Sequence, residues 1–294
     1  MAQLDFGPES NQDSLFATED ARKKASAKYI CLYRQFETEV HRVMHLQDDP
    51  PETTGSTLES WIEDITRRLM AWYEEAKTYT QYGMLEFKHV QFNHLRARIH
   101  RPTLRMATRT DTDRRIVLEC ALALIDDYGT QEGSRRLFYP WHGVHILFET
   151  AVIALDACWM SIGTDLHAPG VAEMLDVHLP RCLRLLTNIG RRWSEATASA
   201  ERLSPLLYRV SAAFAAGPEF LGAEEATAIT QEIQGLLFSD GSLTWNTNPL
   251  WGRESALDEL QFLDNSMFDN LEFLQWGPEW DVMPTEVGDT PLFG

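Results

Sequence analysis

The sequence predicts an all-α protein, an antiparallel array of about seven to eight helices followed by a disordered acidic C-terminal tail. Apolar residues recur at intervals of three and four over most of residues 21–237. No segment alternates apolar and polar residues for long enough to form a strand. The helical periodicity ends after residue 237, and residues 1–20 also lack it. We therefore expect three regions: a disordered N-terminus (1–20), a helical domain (21–237) and a tail (238–294).

The first three helices are predicted from apolar stripes and from the residues that interrupt them. The first ends at the prolines of DDPPETTG and has a stripe formed by Ile30, Tyr33, Val40 and Met44. The second opens with Ser56 and Glu59 at the spacing of a capping box. Its apolar residues recur at three and four positions and are Leu58, Trp61, Ile65, Leu69 and Trp72. The third covers about 81–100 and ends before Pro102. The side chains that we expect it to bury are Leu85, Phe92, Leu95 and Ile99.

The remaining helices follow from the same periodicity. The fourth begins near Asp111. The fifth, over 141–162, is apolar on most of its faces, so we expect it to lie at the centre of the domain. The sixth covers about 171–194 and contains Pro180, which predicts a kink or a break. A seventh helix over about 197–215 and a short eighth over about 222–237 complete the domain.

The composition limits the class of protein. Hydrophobic residues make up 44% of the 294 residues, which is enough for a globular core. No apolar run of about 18 residues is present, so the sequence predicts no membrane-spanning helix. The four cysteines are far apart within helical patterns. This spacing indicates buried, reduced thiols rather than a zinc ribbon or a disulfide framework.

The net charge of −18 is concentrated near the C-terminus. Residues 218–294 contain 15 acids and one base, Arg253, whereas residues 1–217 contain 29 acids and 25 bases. Most of the helical domain is therefore nearly neutral, and the tail is strongly acidic. This asymmetry argues against contact between the tail and nucleic acid and favours a basic or polar protein partner.

Acidic residues near the end of the fourth helix provide the alternative of an enzyme. The stretch LIDDYGTQE contains Asp126, Asp127 and Glu132, and its aspartate pair resembles the magnesium–diphosphate motif of isoprenoid synthases. Such enzymes supply a second set of carboxylates from a facing helix, but the later stretch NIGRRWSE has arginines at those positions. A solvent-exposed helix end explains the acids as well. The sequence favours a protein without catalysis, with an all-α, magnesium-dependent, isoprenoid-synthase-like enzyme as the alternative.

Histidines occur at helical spacing in two places. His142, His145 and Glu149 fall at i, i+3 and i+7 and share a helical face, as zinc ligands would. His41 and His45 form a second pair at i and i+4. Paired histidines on an amphipathic helix are usually interfacial polar residues, and neither set has an HExxH pattern. The sequence also lacks a Walker loop and a dinucleotide fingerprint. We therefore predict no metal, no cofactor and no catalytic residue.

The tail has a composition of its own. Residues 257–281 interleave seven acids with eleven large apolar residues. This alternation keeps the apolar side chains accessible and is typical of disordered activation domains, which fold when they enter a partner's groove. The side chains that we expect to bind the partner are Phe268, Leu271, Phe273, Leu274, Trp276 and Trp280. The alternative is that the tail packs back on the helical domain and covers apolar surface.

Five stretches within about residues 26–215 carry a resemblance to a known family. They are YICLYRQFETEVHRVMH, HLRARIHRPTL, CALALIDDY, WHGVHILFETAVIAL and CLRLLTNIGRRWSEATASAERLSPLL. In their order and spacing they resemble the regulatory (middle-homology) region of fungal binuclear zinc-cluster transcription factors. That family has a helix that ends in Arg-Pro after aliphatic residues, as HLRARIHRPTL does. Its members often end in acidic, aromatic activation segments, which agrees with the tail.

The resemblance implies a transcription regulator in the nucleus that controls a metabolic or secondary-metabolite pathway. Residues 21–237 would form its regulatory domain, and residues 238–294 would contain its activation segment. The implied partners are coactivator or mediator-type proteins. Binding of a small-molecule inducer and formation of a homodimer remain open. No membrane contact is expected. The six-cysteine zinc cluster of the family is missing, so we expect no specific DNA binding by this chain. The chain is either the C-terminal part of a longer factor or a product that works without its own DNA contact.

Overall fold

The structure is a computed structural model, and it describes residues 19–51, 57–79, 82–134, 137, 140–162, 169–191, 193–217 and 222–238. Every regular element in these ranges is helical and none is a strand, so the all-α prediction is confirmed. The described helices all belong to one compact unit. The tail over 239–294 lies outside the described residues.

The described ranges contain nine α-helices and one π-helical turn. The bounds are α1 (Glu19–Met44), α2 (Leu58–Tyr79), α3 (Tyr82–His100), α4 (Asp111–Gly133), α5 (Pro140–Trp159), α6 (Pro169–Glu173), the π turn (Met174–His178), α7 (Leu179–Gly190), α8 (Ser194–Ala216) and α9 (Ala223–Leu237). Because α6, the π turn and α7 follow one another without a break, they count as one continuous helix. The described ranges then contain eight helices, which agrees with the predicted seven to eight. Helix α1 begins at Glu19, two residues before the predicted boundary between the N-terminus (1–20) and the helical domain.

Two helix starts show how side chains satisfy the backbone N–H groups of a first turn. Thr110 and Asp113 form a capping box at the start of α4, because each side chain accepts a hydrogen bond from the backbone of the other. At the start of α2, the Oγ1 atom of Thr57 accepts from the backbone N–H of Ser60 across 3.2 Å. This cap lies one residue later than the box predicted from Ser56 and Glu59.

The proline predicted to interrupt the sixth helix lies just after the π turn. Leu179 donates its backbone N–H to the carbonyl of Met174, five residues back. Pro180 follows in the first turn of α7, where its missing N–H removes no bond of the α7 interior. The predicted break is therefore a change of helical register from α to π, not a kink within α7.

The buried apolar residues form two clusters, and α3 contributes to both. The first cluster surrounds α5, in which every residue from 150 to 158 is buried, and α5 contacts α4, α7, α8 and α9. The second cluster joins α1, α2 and α3 around the fully buried Trp61. Leu95 and Ile99 on α3 belong to the second cluster, whereas Val90 and Ala97 belong to the first. Among the described helices, none is both long and apolar enough to span a membrane.

Candidate functional site

A stripe of polar side chains on α3 is buried inside the helical domain. Gln91, His94, Arg98 and Arg101 follow one another at intervals of three and four residues, so they share one face of α3 and of the turn after it. All four residues are buried, and Arg101 is only 1% exposed. Burying charged side chains in this way costs free energy unless other charges or hydrogen bonds compensate. The surroundings of the arginines therefore define the candidate site.

The compensating charge comes from Glu149 on α5. Its Oε2 atom accepts a hydrogen bond from Nε2 of His94 across 2.9 Å. Its Oε1 atom lies 3.6 Å from Nε of Arg98 and 3.7 Å from Nη1 of Arg101. Burial opposes the ionisation of Glu149, but the interactions with Arg98, His94 and Arg101 outweigh it and hold the pKa of this carboxyl well below its usual range. We call His94, Arg98, Arg101 and Glu149 the Glu149 cluster.

Both histidine pairs noted in the sequence lie near this cluster. Just after the C-terminal end of α1, Nε2 of His45 faces Nη2 of Arg101 at 3.4 Å, and the His45 ring stacks on His41. Burial and the charge of Arg101 lower the pKa of His45 to about 3. Neutral His45 therefore accepts a hydrogen bond from Arg101.

The second pair lies on α5, in the first turns before Glu149. Burial, followed by the electrostatic interaction with His94, lowers the pKa of His142 to about 3. Burial also lowers the pKa of His145 to about 4, although Glu149 acts in the opposite direction. Histidines from α1, α3 and α5 therefore surround the cluster, and those of α1 and α5 are uncharged at neutral pH.

A neighbouring buried arginine has a structural explanation. Arg109 donates from Nε to the backbone carbonyl of Arg101 across 2.8 Å and from Nη2 to the carbonyl of Ile99. It thereby satisfies carbonyl groups left over at the C-terminal end of α3, where a positive charge is also favourable. Nδ1 of His100 donates to Asp113 across 2.7 Å and ties the same end of α3 to α4. Arg109 and His100 hold the end of α3 in place rather than completing the cluster.

Several buried polar atoms of the Glu149 cluster have no hydrogen-bond partner in the part of the chain that the structure describes, and its positive charge is not fully balanced by Glu149. Nε of Arg98, Nε and Nη1 of Arg101 and Oε1 of Glu149 are all buried and have no hydrogen-bond partner among the described residues. Two guanidinium groups share one carboxylate, and the distances to Oε1 exceed a hydrogen bond. The arrangement has the chemistry of an anion-binding site, because buried N–H donors with surplus positive charge favour a negatively charged group.

A further buried cation lies towards the N-terminal end of α3. Lys88 is 3% exposed, and its Nζ lies 5.4 Å from the centre of the Trp72 ring. Burial, with a smaller effect of Arg34, lowers the pKa of Lys88 to about 8. Its contact with the Trp72 ring gives Lys88 a packing role in the second apolar cluster.

The acids of the enzymatic alternative each hold a different partner. Asp126 accepts from Nη1 of Arg181 on α7. Asp127 accepts from Nδ1 of His89 on α3 across 2.5 Å. Glu132 accepts from Nδ2 of Asn188 on α7 across 2.6 Å. The facing helix α7 thus presents Arg181 and Asn188 to α4. Asp126 and Asp127 both lie on α4, but Asp126 contacts α7 and Asp127 contacts α3.

Other predicted features can be placed briefly. In the part of the chain that the structure describes, no group of three or more His, Cys, Asp or Glu residues is arranged to hold a metal ion. The four cysteines are free, and Cys120, Cys158 and Cys182 are buried. Burial raises the pKa of Cys120 and of Cys182 to about 12, so these thiols are unreactive. The predicted partner-binding residues of the tail, which lie outside the described ranges, are Phe268, Leu271, Phe273, Leu274, Trp276 and Trp280.

The comparisons with known proteins add no relative. No protein-family model, no curated protein and no solved structure matches this chain.

Sequence reasoning missed the arginines of the cluster. The signal is in the stretch HLRARIHRP, where Arg98 and Arg101 lie at helical spacing from His94, and apolar and polar residues alternate between them. Such a helix has no single apolar face, which is the pattern of a helix buried on several sides.

Proposed function

We propose that this chain is a nuclear regulator of transcription, in which the helical domain is regulatory and the acidic tail activates. The observation that carries the proposal is the alternation of seven acids and eleven large apolar residues over 257–281. Folding such a segment into a core would bury acids together with rings, which costs free energy for each unpaired carboxylate. Binding a partner's groove with one face only leaves the acids in water. The composition therefore supports a segment that orders on a coactivator or mediator-type protein.

The charge distribution supports a role that does not require base contacts by this chain. Residues 1–217 are nearly neutral, and residues 218–294 have 15 acids against one base. Tight binding to DNA needs several cations near phosphates, because the release of counterions supplies much of the affinity. The proposed regulator therefore reaches its genes through another protein or through a DNA-binding segment outside these residues.

The experiment that tests the proposal fuses residues 255–285 to an unrelated DNA-binding domain and measures a reporter. We expect activation, because a few apolar anchors entering a groove supply most of the binding free energy. Changing Phe273, Leu274 and Trp276 to alanine is expected to remove most of the activity, since each buried anchor contributes about 1–3 kcal/mol.

The matched control changes charge and leaves the apolar residues in place. Asp269→Asn combined with Glu272→Gln is expected to cost less activity, because a long-range charge effect is shared among many acids. The two variants are compared at equal protein level. A silent fusion, or full activity after loss of the three anchors, would contradict the proposed activation role and would favour a tail that serves as packing or as a linker.

A further inference from the structure

Arg98 and Arg101 bring two positive charges to the Glu149 cluster, and Glu149 brings one negative charge. Arg98 and Arg101 are 5% and 1% exposed, so both guanidinium groups are removed from water. Glu149 is the carboxylate within ion-pair distance of both. The neighbouring His45 and His145 have lowered pKa values because of burial and are uncharged near neutrality. An unbalanced charge at this depth is unfavourable, and a bound anion would remove the imbalance.

The unsatisfied donors of the two arginines converge on one point. Nε of Arg98 and Nη1 of Arg101, from successive turns of α3 and its C-terminal end, approach the same oxygen, Oε1 of Glu149, at 3.6 Å and 3.7 Å. Nε of Arg101 is also buried and without an acceptor in the described ranges. Buried guanidinium N–H groups that lack an acceptor are suited to the oxygens of a carboxylate.

We propose that the Glu149 cluster is a binding site for a small monocarboxylate, whose carboxylate accepts from Arg98 and Arg101 beside Glu149. A single negative charge on the ligand balances the surplus. A dianion such as phosphate would overcompensate it and be repelled by Glu149 a few ångströms away. The ligand is small because the guanidinium groups are almost completely buried by protein.

The turn that follows α1 lies beside this site and is partly exposed. His45, which accepts from Arg101, is only partly buried, and the next residue, Leu46, is 60% exposed. The site does not depend on the proposed role in transcription, since a chain that fails to activate a reporter can still bind a carboxylate here.

The test measures binding to the purified full chain by titration calorimetry and thermal unfolding. The probes are acetate and pyruvate as monocarboxylates, acetamide as the uncharged isostere of acetate, and inorganic phosphate. Sodium chloride at the same ionic strength is the reference. We expect saturable binding of one monocarboxylate per chain and a rise in Tm beyond that given by chloride. Acetamide and phosphate are expected to match chloride.

Three variants locate the binding. Arg101→Met keeps the apolar stem and removes the donors, and we expect it to weaken monocarboxylate binding about tenfold or more. Arg67→Met is the matched control, because the Arg67 side chain is 72% exposed on α2, and its binding is expected to equal that of the unchanged chain. Glu149→Gln removes the competing charge with little change of shape, so we expect it to bind monocarboxylates about tenfold more tightly.

The Glu149→Gln result keeps the proposal falsifiable if Arg101→Met does not fold. A purely structural ion pair predicts loss of stability in this variant without any gain in anion affinity. The proposal is overturned if no monocarboxylate binds better than chloride, if binding survives in folded Arg101→Met, or if Glu149→Gln shows no gain. Phosphate binding as strong as that of acetate would also overturn it, because it would indicate a surface that attracts anions of any kind.

Discussion

Nε2 of His94 on α3 donates a hydrogen bond to Oε2 of Glu149 on α5 across 2.9 Å. Because α3 contributes to both apolar clusters and α5 is the centre of the first, this bond joins the two cores through a polar contact. The other oxygen of Glu149 faces two buried guanidinium groups. The single carboxylate of Glu149 is thus the counter-charge for both buried arginines at this junction.

Glu149→Gln is expected to lower the free energy of unfolding of the ligand-free chain by about 3 kcal/mol, because it leaves Arg98 and Arg101 buried without a counter-charge. The amide oxygen still accepts from His94, so the loss reports charge rather than volume. Urea unfolding measures the change. Glu119→Gln is the control: Glu119 is 53% exposed and pairs with Arg96 at 3.4 Å, so its loss is expected to stay below about 1 kcal/mol. Equal losses in the two variants would contradict the assigned role of Glu149.

His45→Gln is expected to make the stability less dependent on pH. The pKa of His45 is about 3 in the folded chain, below the ordinary value of 6.5, because of burial and Arg101. Unfolding therefore takes up a proton below about pH 6.5, so the stability from neutral His45 is present above that pH and is lost as the pH falls towards 3. Between about pH 6 and 5, the free energy of unfolding of the variant should fall less steeply with falling pH than that of the unchanged chain, by about 1.4 kcal/mol per pH unit.

His142 and His145 act in the same direction, so part of the slope remains in the variant. Urea unfolding at several pH values measures it. The carboxyls of Glu149 and Asp113, whose folded pKa values are lowered, contribute only at more acidic pH, near and below their unfolded values. An unchanged slope between about pH 6 and 5 would show that His45 is protonated in the folded chain.

The sequence predicts the helices well because their signals are local. The stripe from Trp61 to Trp72 determines the buried face of α2, and the apolar character of 141–162 correctly places α5 at the centre. Pro180 marks the right place for an irregularity, although its form is a π turn. The cap of α2 is displaced by one residue, because Thr57 and Ser56 have equivalent hydroxyls and only the backbone geometry selects between them.

The candidate site is not local and could not be predicted in the same way. Arg98, Arg101 and His45 each fit a solvent-exposed helix position when considered on one helix alone. Their burial depends on the packing of α1 and α5 on either side of α3, which no periodicity encodes. The pairing of Glu149 with His94 links residues that are 55 positions apart. Single-helix reasoning placed Glu149 on one face with His142 and His145, and His41 with His45 on another helix, but it could not bring the two sets together.

Magnesium with inorganic diphosphate is expected to leave the Tm of the chain at the value measured with magnesium chloride alone. Asp126 is engaged by Arg181 and Asp127 by His89, so sharing one cation would require both contacts to break. Thermal unfolding in the two solutions measures the difference. Asp127→Asn is the control variant, and a rise in Tm that is present in the unchanged chain and absent in this variant would favour the isoprenoid-synthase-like alternative.

A chain that ends at residue 238 is expected to keep the cooperative thermal transition and the helical circular dichroism of the domain. The last described helix, α9, buries Ile229, Ile233, Leu236 and Leu237 and ends at Leu237. Trp159 on α5 donates from Nε1 to Oγ1 of Thr230 across 3.0 Å, which fixes α9 against the central helix. The contacts of α9 that the structure describes are therefore all present in the shorter chain.

A chain that ends at residue 222 is the matched comparison, because it also removes α9. It exposes the part of the first apolar cluster that the four aliphatic side chains of α9 cover, and each of these contributes about 1.5–3 kcal/mol. Since a whole domain is stable by only about 5–15 kcal/mol, we expect this chain to lose the cooperative transition. Loss of the transition already in the chain that ends at 238 would mean that the acidic segment is part of the core. The proposal that its apolar side chains are free to bind a partner would then fail.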